Sequence, residues 1–330
     1  MDGDTTLWGL LVSSFLLILA YKGYDLLWGV PRRDGSLKAI VEVKRNKRFP
    51  NGNALTAKYT GSETLDQWMI TPVILYEGLL DGSNLPYFLM LLDVHASMQA
   101  TSTVMLVRLA AVHALPTSLT ALTIAGLGML NQAYGAAFVY PLYCMAEIML
   151  DAIAPTKLAF RFPITVRQTQ AIWIASMIGF AFPLIFAYPW LLSLQRPLRQ
   201  KIVAYYRFAP LAFAAAYFVA DRVGDSLAFM HTVSAHQTLV TVLDIATVYA
   251  TIGHFAALVL PLFQPKPWHA LRRVFLPTSS HIRPGSQRMI SDAAHRFLQY
   301  DIYVIGAAFF VWQFWVEKGW KSNDQLWLEQ

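Results

Sequence analysis

Apolar runs long enough to cross a lipid bilayer recur along nearly the whole chain, at about 7–28, 85–113, 118–150, 170–195, 202–220, 237–263 and 300–316. Most reach the roughly 17–25 residues that a spanning helix needs. A shorter run at 68–80, "WMITPVILYEGLL", ends in "DGSNLP" and reads as a half-helix or as the first part of a bent span. Backbone polar groups in lipid must be satisfied within the segment, so such a chain folds as helices. The expected fold is an all-α polytopic transmembrane bundle of about seven spans, forming one domain over 1–330. Composition agrees: hydrophobic residues make up 56% and charged residues only 14% of the 330, with a mean hydropathy of +0.42, against about 25% charged in a soluble domain.

The first run reads as a retained span rather than a cleaved leader. Asp2 and Asp4 precede it in place of a basic region, and no small-residue cleavage site follows. Behind it lies the most basic stretch, 29–65, with Arg32, Arg33, Lys38, Lys44, Arg45, Lys47 and Arg48. The positive-inside rule makes that loop cytosolic. Basic residues recur around 157–167, 196–207 and 266–288, and strict alternation cannot place all of them on one side. The net charge of +6 fits loops beside anionic headgroups, so membrane lipid is an expected partner and nucleic acid is not. One cysteine, Cys144, excludes an internal disulfide framework and a cysteine-rich metal site.

No Walker glycine loop, dinucleotide fingerprint, HExxH or G-x-S-x-G elbow is present, and no cofactor is expected. Enzymes that ionise a prenyl diphosphate hold magnesium with paired aspartate motifs, because a hard cation takes carboxylate oxygens. The single candidate is "DRVGD", Asp221 to Asp225, and its plainer reading is a solvated helix end with Arg222. No metal site is expected.

What remains is a set of acids within or beside apolar helices: Glu77, Asp93, Glu147 and Asp301. An ionisable side chain at mid-bilayer costs roughly 2.5 kcal/mol or more, so each faces protein interior, a water cavity or a ligand. The bland account of each is a structural hydrogen bond or a snorkelling side chain; for Asp301, dipole stabilisation near a helix start is a further one. Glu147 is the leading candidate for a proton donor. It stands in "NQAYGAAFVYPLYCMAEIMLD", 131–151, where one continuous helix puts Gln132, Tyr143 and Glu147 on a common face, with Asn131 and Tyr134 beside them. Tyr76 adjoins Glu77. His95 and Gln99 align on a helix while Asp93 diverges from them, and His295 and Gln299 share a face before Asp301. Asn131, Gln132, Tyr134, Tyr143, Tyr76, His95 and Gln299 are the expected substrate-binding residues.

Aromatic residues make up 14% of the chain. Most belong to core or interfacial belts, but together with protonatable acids they suit one chemistry. Ring faces stabilise a carbocation by roughly 0.5–2 kcal/mol each without quenching it. A carboxyl kept neutral by desolvation can protonate an epoxide or an alkene.

The stretch "NQAYGAAFVYPLYC", the element "YEGLL", the basic loop after one N-terminal span and the late "FLQYD" resemble the fungal integral-membrane terpene cyclases of the ascofuranone, ascochlorin and macrophorin meroterpenoid pathways. The resemblance implies a metal-independent cyclase that protonates the terminal epoxide or olefin of a farnesyl chain on a phenol or cyclohexenone head. It also implies residence in a membrane, with the endoplasmic reticulum the expected one. The alternatives are a non-enzymatic transporter or scaffold for a lipophilic metabolite and an intramembrane prenyltransferase. The first lacks the twofold pattern of broken helices common in transporters; the second lacks its other aspartate motif.

Overall fold

The computed structural model describes residues 3–113, 115–153, 164–191, 194–224, 234–277, 282, 286 and 288–321. Asp225 and most of the basic cluster around 157–167 lie outside them. Regular structure among the described residues is helical, with a single isolated bridge, Arg48 to Ala54, and no strand. In chain order the helices are α1 Gly3–Tyr24, α2 Val30–Arg33, α3 Ser36–Asn46, α4 Glu63–Tyr76, α5 Leu85–Val107, α6 Thr117–Tyr134 and α7 Ala136–Ile153. There follow α8 Val166–Leu191, α9 Arg196–Tyr206, α10 Ala209–Val223, α11 Ala235–Val259, α12 Pro267–Phe275 and α13 Met289–Lys321.

Among the described residues four helical segments are long and apolar enough to span a membrane: Leu7–Arg33, Val166–Ile185, Ala235–Phe263 and Met289–Glu317. The pair α9 and α10, bent by 56°, makes a fifth if taken as one span. The expected seven counts two runs that are built differently. The run 118–150 is two helices, because Gly135 takes φ of +93° and breaks it between Tyr134 and Ala136. The run 85–113 contains α5, which carries Asp93, His95 and Gln99 and buries most of its side chains. Conversely α8 runs unbroken through Pro183 and Pro189. The segment at 68–80 belongs to a helix that starts earlier, at Glu63, where Asp66 accepts the N–H groups of Tyr59, Thr60 and Gly61 and orders the preceding loop. The basic stretch 29–65 is likewise partly helical, with α3 burying Ile40 and Val43. Large apolar side chains are exposed on these long helices, as on α11, where Val248, Ile252 and Phe255 face outward.

Contacts gather into two compact units. The smaller comprises Met1–Val30, Leu130–Ala159 and Tyr300–Gln330. In it α1 packs along α7, with Gly23 so close that a Cβ would lie 2.1 Å from the Ala137 carbonyl oxygen. Trp28 Nε1 donates to the Tyr134 carbonyl at 2.8 Å, and the Tyr24, Phe138 and Tyr134 rings meet edge to face. The larger unit comprises Pro31–Met129 and Phe160–Gln299. Its central element is α5, packed against α8, α11 and α12, while α10 packs on α8 and α4 on α9. Pro86 is the second residue of α5, in the first turn, where the missing N–H costs nothing. Ser234 caps α11 by accepting the Gln237 N–H at 3.2 Å.

Candidate active site

Helix α5 carries the polar centre of the larger unit on two faces. Residues two apart on a helix diverge by about 200°, so Asp93 and His95 look in different directions. Asp93 is fully buried and faces α11, where His254 Nδ1 lies 3.0 Å from Asp93 Oδ2. Small residues let the two helices come close enough: a Cβ on Gly253 would lie 2.8 Å from the Ala96 Cβ and 3.8 Å from the Asp93 Cα. With its proton on Nδ1 the imidazole donates to Oδ2. Asp93 Oδ1 is buried and has no hydrogen-bond partner among the described residues. The other three acids carry no such atom among those residues. His254 is about half exposed, and its ring meets Phe275 of α12 at 5.7 Å.

The second face of α5 is aromatic. The His95 ring stands between Tyr76, at 5.8 Å, and Tyr206, at 5.4 Å, and its Nδ1 donates to the Leu91 carbonyl at 2.8 Å. Gln99, one turn further, donates to the Tyr206 hydroxyl at 3.3 Å, and Phe182 packs edge-on to Tyr206 at 6.2 Å. The alignment of His95 with Gln99 thus converges on Tyr206. Close by in the chain, the Arg207 guanidinium lies 4.4 Å above the Trp68 ring.

Glu77, at the end of α4, is an acceptor of three donors. Arg196 Nε and Arg199 Nη2 donate to Oε1 at 2.7 and 2.8 Å, and Gln200 Nε2 donates to Oε2 at 3.2 Å. Beside it a cavity of about 220 Å³ opens, lined by Glu77, Ser83, Asn84, Tyr87, Arg196 and Arg288 among others. Gln299 donates to the Arg273 and Val274 carbonyls at 3.0 and 2.8 Å, and His295 also bonds the Arg273 carbonyl. Their shared face therefore caps the C-terminus of α12, whose last carbonyls have no partner within the helix.

The smaller unit holds Asn131, Gln132, Tyr134, Tyr143, Glu147 and Asp301. The Tyr143 hydroxyl donates to Glu147 Oε1 at 3.0 Å, and Glu147 is buried. Gln132 is not on their helix. The break at Gly135 puts it on α6, which corrects the expected common face. Asn131 is buried, whereas Tyr134 is 44% exposed. Asp301 is well inside α13 rather than near its start, and its Oδ1 accepts the Ala137 N–H at 2.7 Å, at the first turn of α7. The dipole expected for it does exist, but it belongs to a different helix.

Asp221 also departs from expectation. It is 2% exposed rather than solvated, accepts the Thr117 hydroxyl at 2.8 Å and pairs with Arg167 at 3.3 Å in place of Arg222. Among the described residues no three or more His, Cys, Asp or Glu side chains converge as a metal would require. Reading by sequence passed over His254 and the two arginines at Glu77. The signal for His254 was an imidazole beside a glycine in the apolar stretch "TVYATIGHFAALV".

The CtvD domain family model matches residues 12–328. The chain is 34% identical over 313 residues to "Terpene cyclase alnG" of Emericella nidulans, covering 90% of this chain and 82% of that one. It is 23% identical over 305 residues to "Terpene cyclase ascI" of Acremonium egyptiacum, covering 90% and 78%. No solved structure matches. A match that spans all but the ends of the sequence makes this chain a member of the CtvD domain family.

Proposed function

We propose that this terpene cyclase is membrane-bound, starts its reaction by protonation without a metal ion, and uses Asp93 as the acid with His254 as its holder. The observation that carries the choice of acid is the division of labour in the carboxyl. Oδ2 is engaged by His254 at 3.0 Å, and Oδ1 is buried without a partner among the described residues. A buried carboxyl oxygen left unpaired costs about 1–3 kcal/mol or more, and a substrate atom that accepts a proton from it removes that cost. Burial keeps a carboxyl neutral. The cyclase reading is supported by relatives of that name at 34% and 23% identity. Membrane residence is supported by the long apolar segments, and the endoplasmic reticulum is the membrane proposed.

The substrate is a farnesyl chain on a phenol or cyclohexenone head, with a terminal epoxide or olefin. The Asp93 proton passes from Oδ1 to the epoxide oxygen or to the terminal alkene carbon. In the first case a C–O bond breaks as the neighbouring π pair attacks the carbon. Each ring closure uses one π bond and leaves a cation on the next carbon, until the last cation loses a proton. Substrate and product are isomers, and the carboxyl is restored when His254 takes up a proton at Nε2 and passes its Nδ1 proton to Oδ2 of Asp93. The row Tyr76, His95, Tyr206 and Phe182 offers ring faces on the other side of α5.

Glu147 is the second reading, favoured by the Tyr143 hydroxyl that holds it at 3.0 Å. Microsomes bearing the protein, incubated with farnesylated phenols and their terminal epoxides with and without EDTA, test the reaction type. Isomeric cyclic products at undiminished yield in chelator are expected. Activity lost in EDTA and restored by magnesium refutes it.

A further inference from the structure

The cavity beside Glu77 is a built site that the acid chemistry does not use. At about 220 Å³ it is below the roughly 300 Å³ at which sites for whole drug-sized ligands begin, so it seats part of a molecule. Its walls are fixed. Arg196 is clamped on Glu77, and the Tyr87 hydroxyl bonds Asp292 and accepts from Arg273 at 2.9 Å while its ring stacks on His295 at 4.4 Å. The groups left over on the lining are of both kinds: the Arg288 guanidinium donates, the Asn84 amide and the Ser83 hydroxyl donate and accept, and the Asp81 carboxylate, which takes the Ser83 N–H at 2.8 Å, accepts. Such a site takes a small oxygenated group, with acceptor oxygens toward Arg288 and a hydroxyl toward Asp81.

We infer that this cavity holds the oxygenated ring head of the substrate, an inference that rests on the cyclase reading given above. Tyr87 marks the cavity on α5, and Asp93 follows six residues later, about 9 Å along the axis and a third of a turn round it. That is shorter than an extended three-isoprene tail. One elongated substrate is therefore long enough to place its head at the start of α5 and its reacting end beside Asp93. Anchoring the head selects ring-bearing substrates, because a substrate without the head makes none of these hydrogen bonds.

Binding of a ring without a tail, 5-methylresorcinol, to the purified full-length protein in detergent is measured by calorimetry for wild type, Arg288→Ala and Ser83→Leu. Both substituted positions are exposed on the cavity rim, so folding is preserved, and thermal unfolding checks it. Saturable wild-type binding is expected, weakened roughly tenfold or more by Arg288→Ala, the loss of a charged hydrogen bond, and abolished by Ser83→Leu. In turnover, the variants raise KM for the ring-bearing epoxide by a similar factor and leave kcat, and the rate with farnesyl methyl ether epoxide, within twofold. No wild-type binding, or binding that both variants leave unchanged, overturns the inference. Absence of any cyclisation by wild type instead overturns the cyclase reading, whatever the resorcinol does.

Discussion

Asp301 Oδ1 accepts the backbone N–H of Ala137 at 2.7 Å, so an acid from α13 serves as the cap of α7. Gly135 leaves the first turn of α7 with unpaired N–H groups and no capping side chain of its own. A carboxyl brought in from elsewhere replaces it. Asp301→Asn keeps an acceptor oxygen and is expected to retain wild-type abundance and activity within about threefold, since caps of this kind exchange readily. Asp301→Ala is expected to lose about 1–2 kcal/mol, read as a lower unfolding temperature in detergent. If Asp301→Asn abolishes turnover in folded protein, Asp301 has a chemical role instead.

Gly253 makes the approach of α11 to α5 possible, and the consequence is chemical. A side chain there meets Ala96 at 2.8 Å, so Gly253→Val pushes the helices apart and draws His254 from Asp93. Turnover is expected to fall at least tenfold, with His254→Gln, which removes the imidazole but not the packing, falling comparably. A Gly253→Val protein with wild-type kcat would show that the pairing is incidental.

Glu77 is bound into a partly buried cluster with Arg196, Arg199 and Gln200. Removing one member of a buried ion pair typically costs about 3–5 kcal/mol, because the other charge is stranded. Glu77→Ala is therefore expected to reduce folded yield and unfolding temperature sharply, while Arg196→Ala, at a more exposed position, costs less. Equal, negligible effects would show that solvent screens the cluster.

Much of this was legible in the residues. Helical class follows from apolar runs of bilayer length, and the four acids and the pairs His95 with Gln99 and His295 with Gln299 follow from spacing on one helix. Local spacing carries no information on partners far along the chain. His254 lies 161 residues from Asp93, and Arg199 lies 122 residues from Glu77, so only packing reveals that one acid has an oxygen without a partner among the described residues and the other has none. The break at Gly135 misled for a different reason. Apolar periodicity continues across it, and a single residue at positive φ redirects the chain without altering the pattern on either side.

Glu147 and Tyr143 form the competing pair, and the amide substitution separates a hydrogen-bonding role from an acidic one. Glu147→Gln accepts the Tyr143 hydroxyl as the carboxyl does. Activity within tenfold of wild type at equal abundance is expected if Asp93 is the donor. Loss of roughly 10²-fold or more, the scale of a positioned acid, transfers the role to Glu147.

The most direct measurement is the rate of product formation by Asp93→Asn in membranes, with the variant at wild-type abundance and a farnesylated phenol epoxide as substrate. The amide keeps the shape and the contact with His254 but has no acidic proton to give. A positioned acid contributes roughly 10²–10⁴-fold, so the rate is expected to fall by at least about 10²-fold with binding of the ring head unchanged. A folded Asp93→Asn enzyme that retains more than about a tenth of the wild-type rate contradicts the assignment of the proton to Asp93.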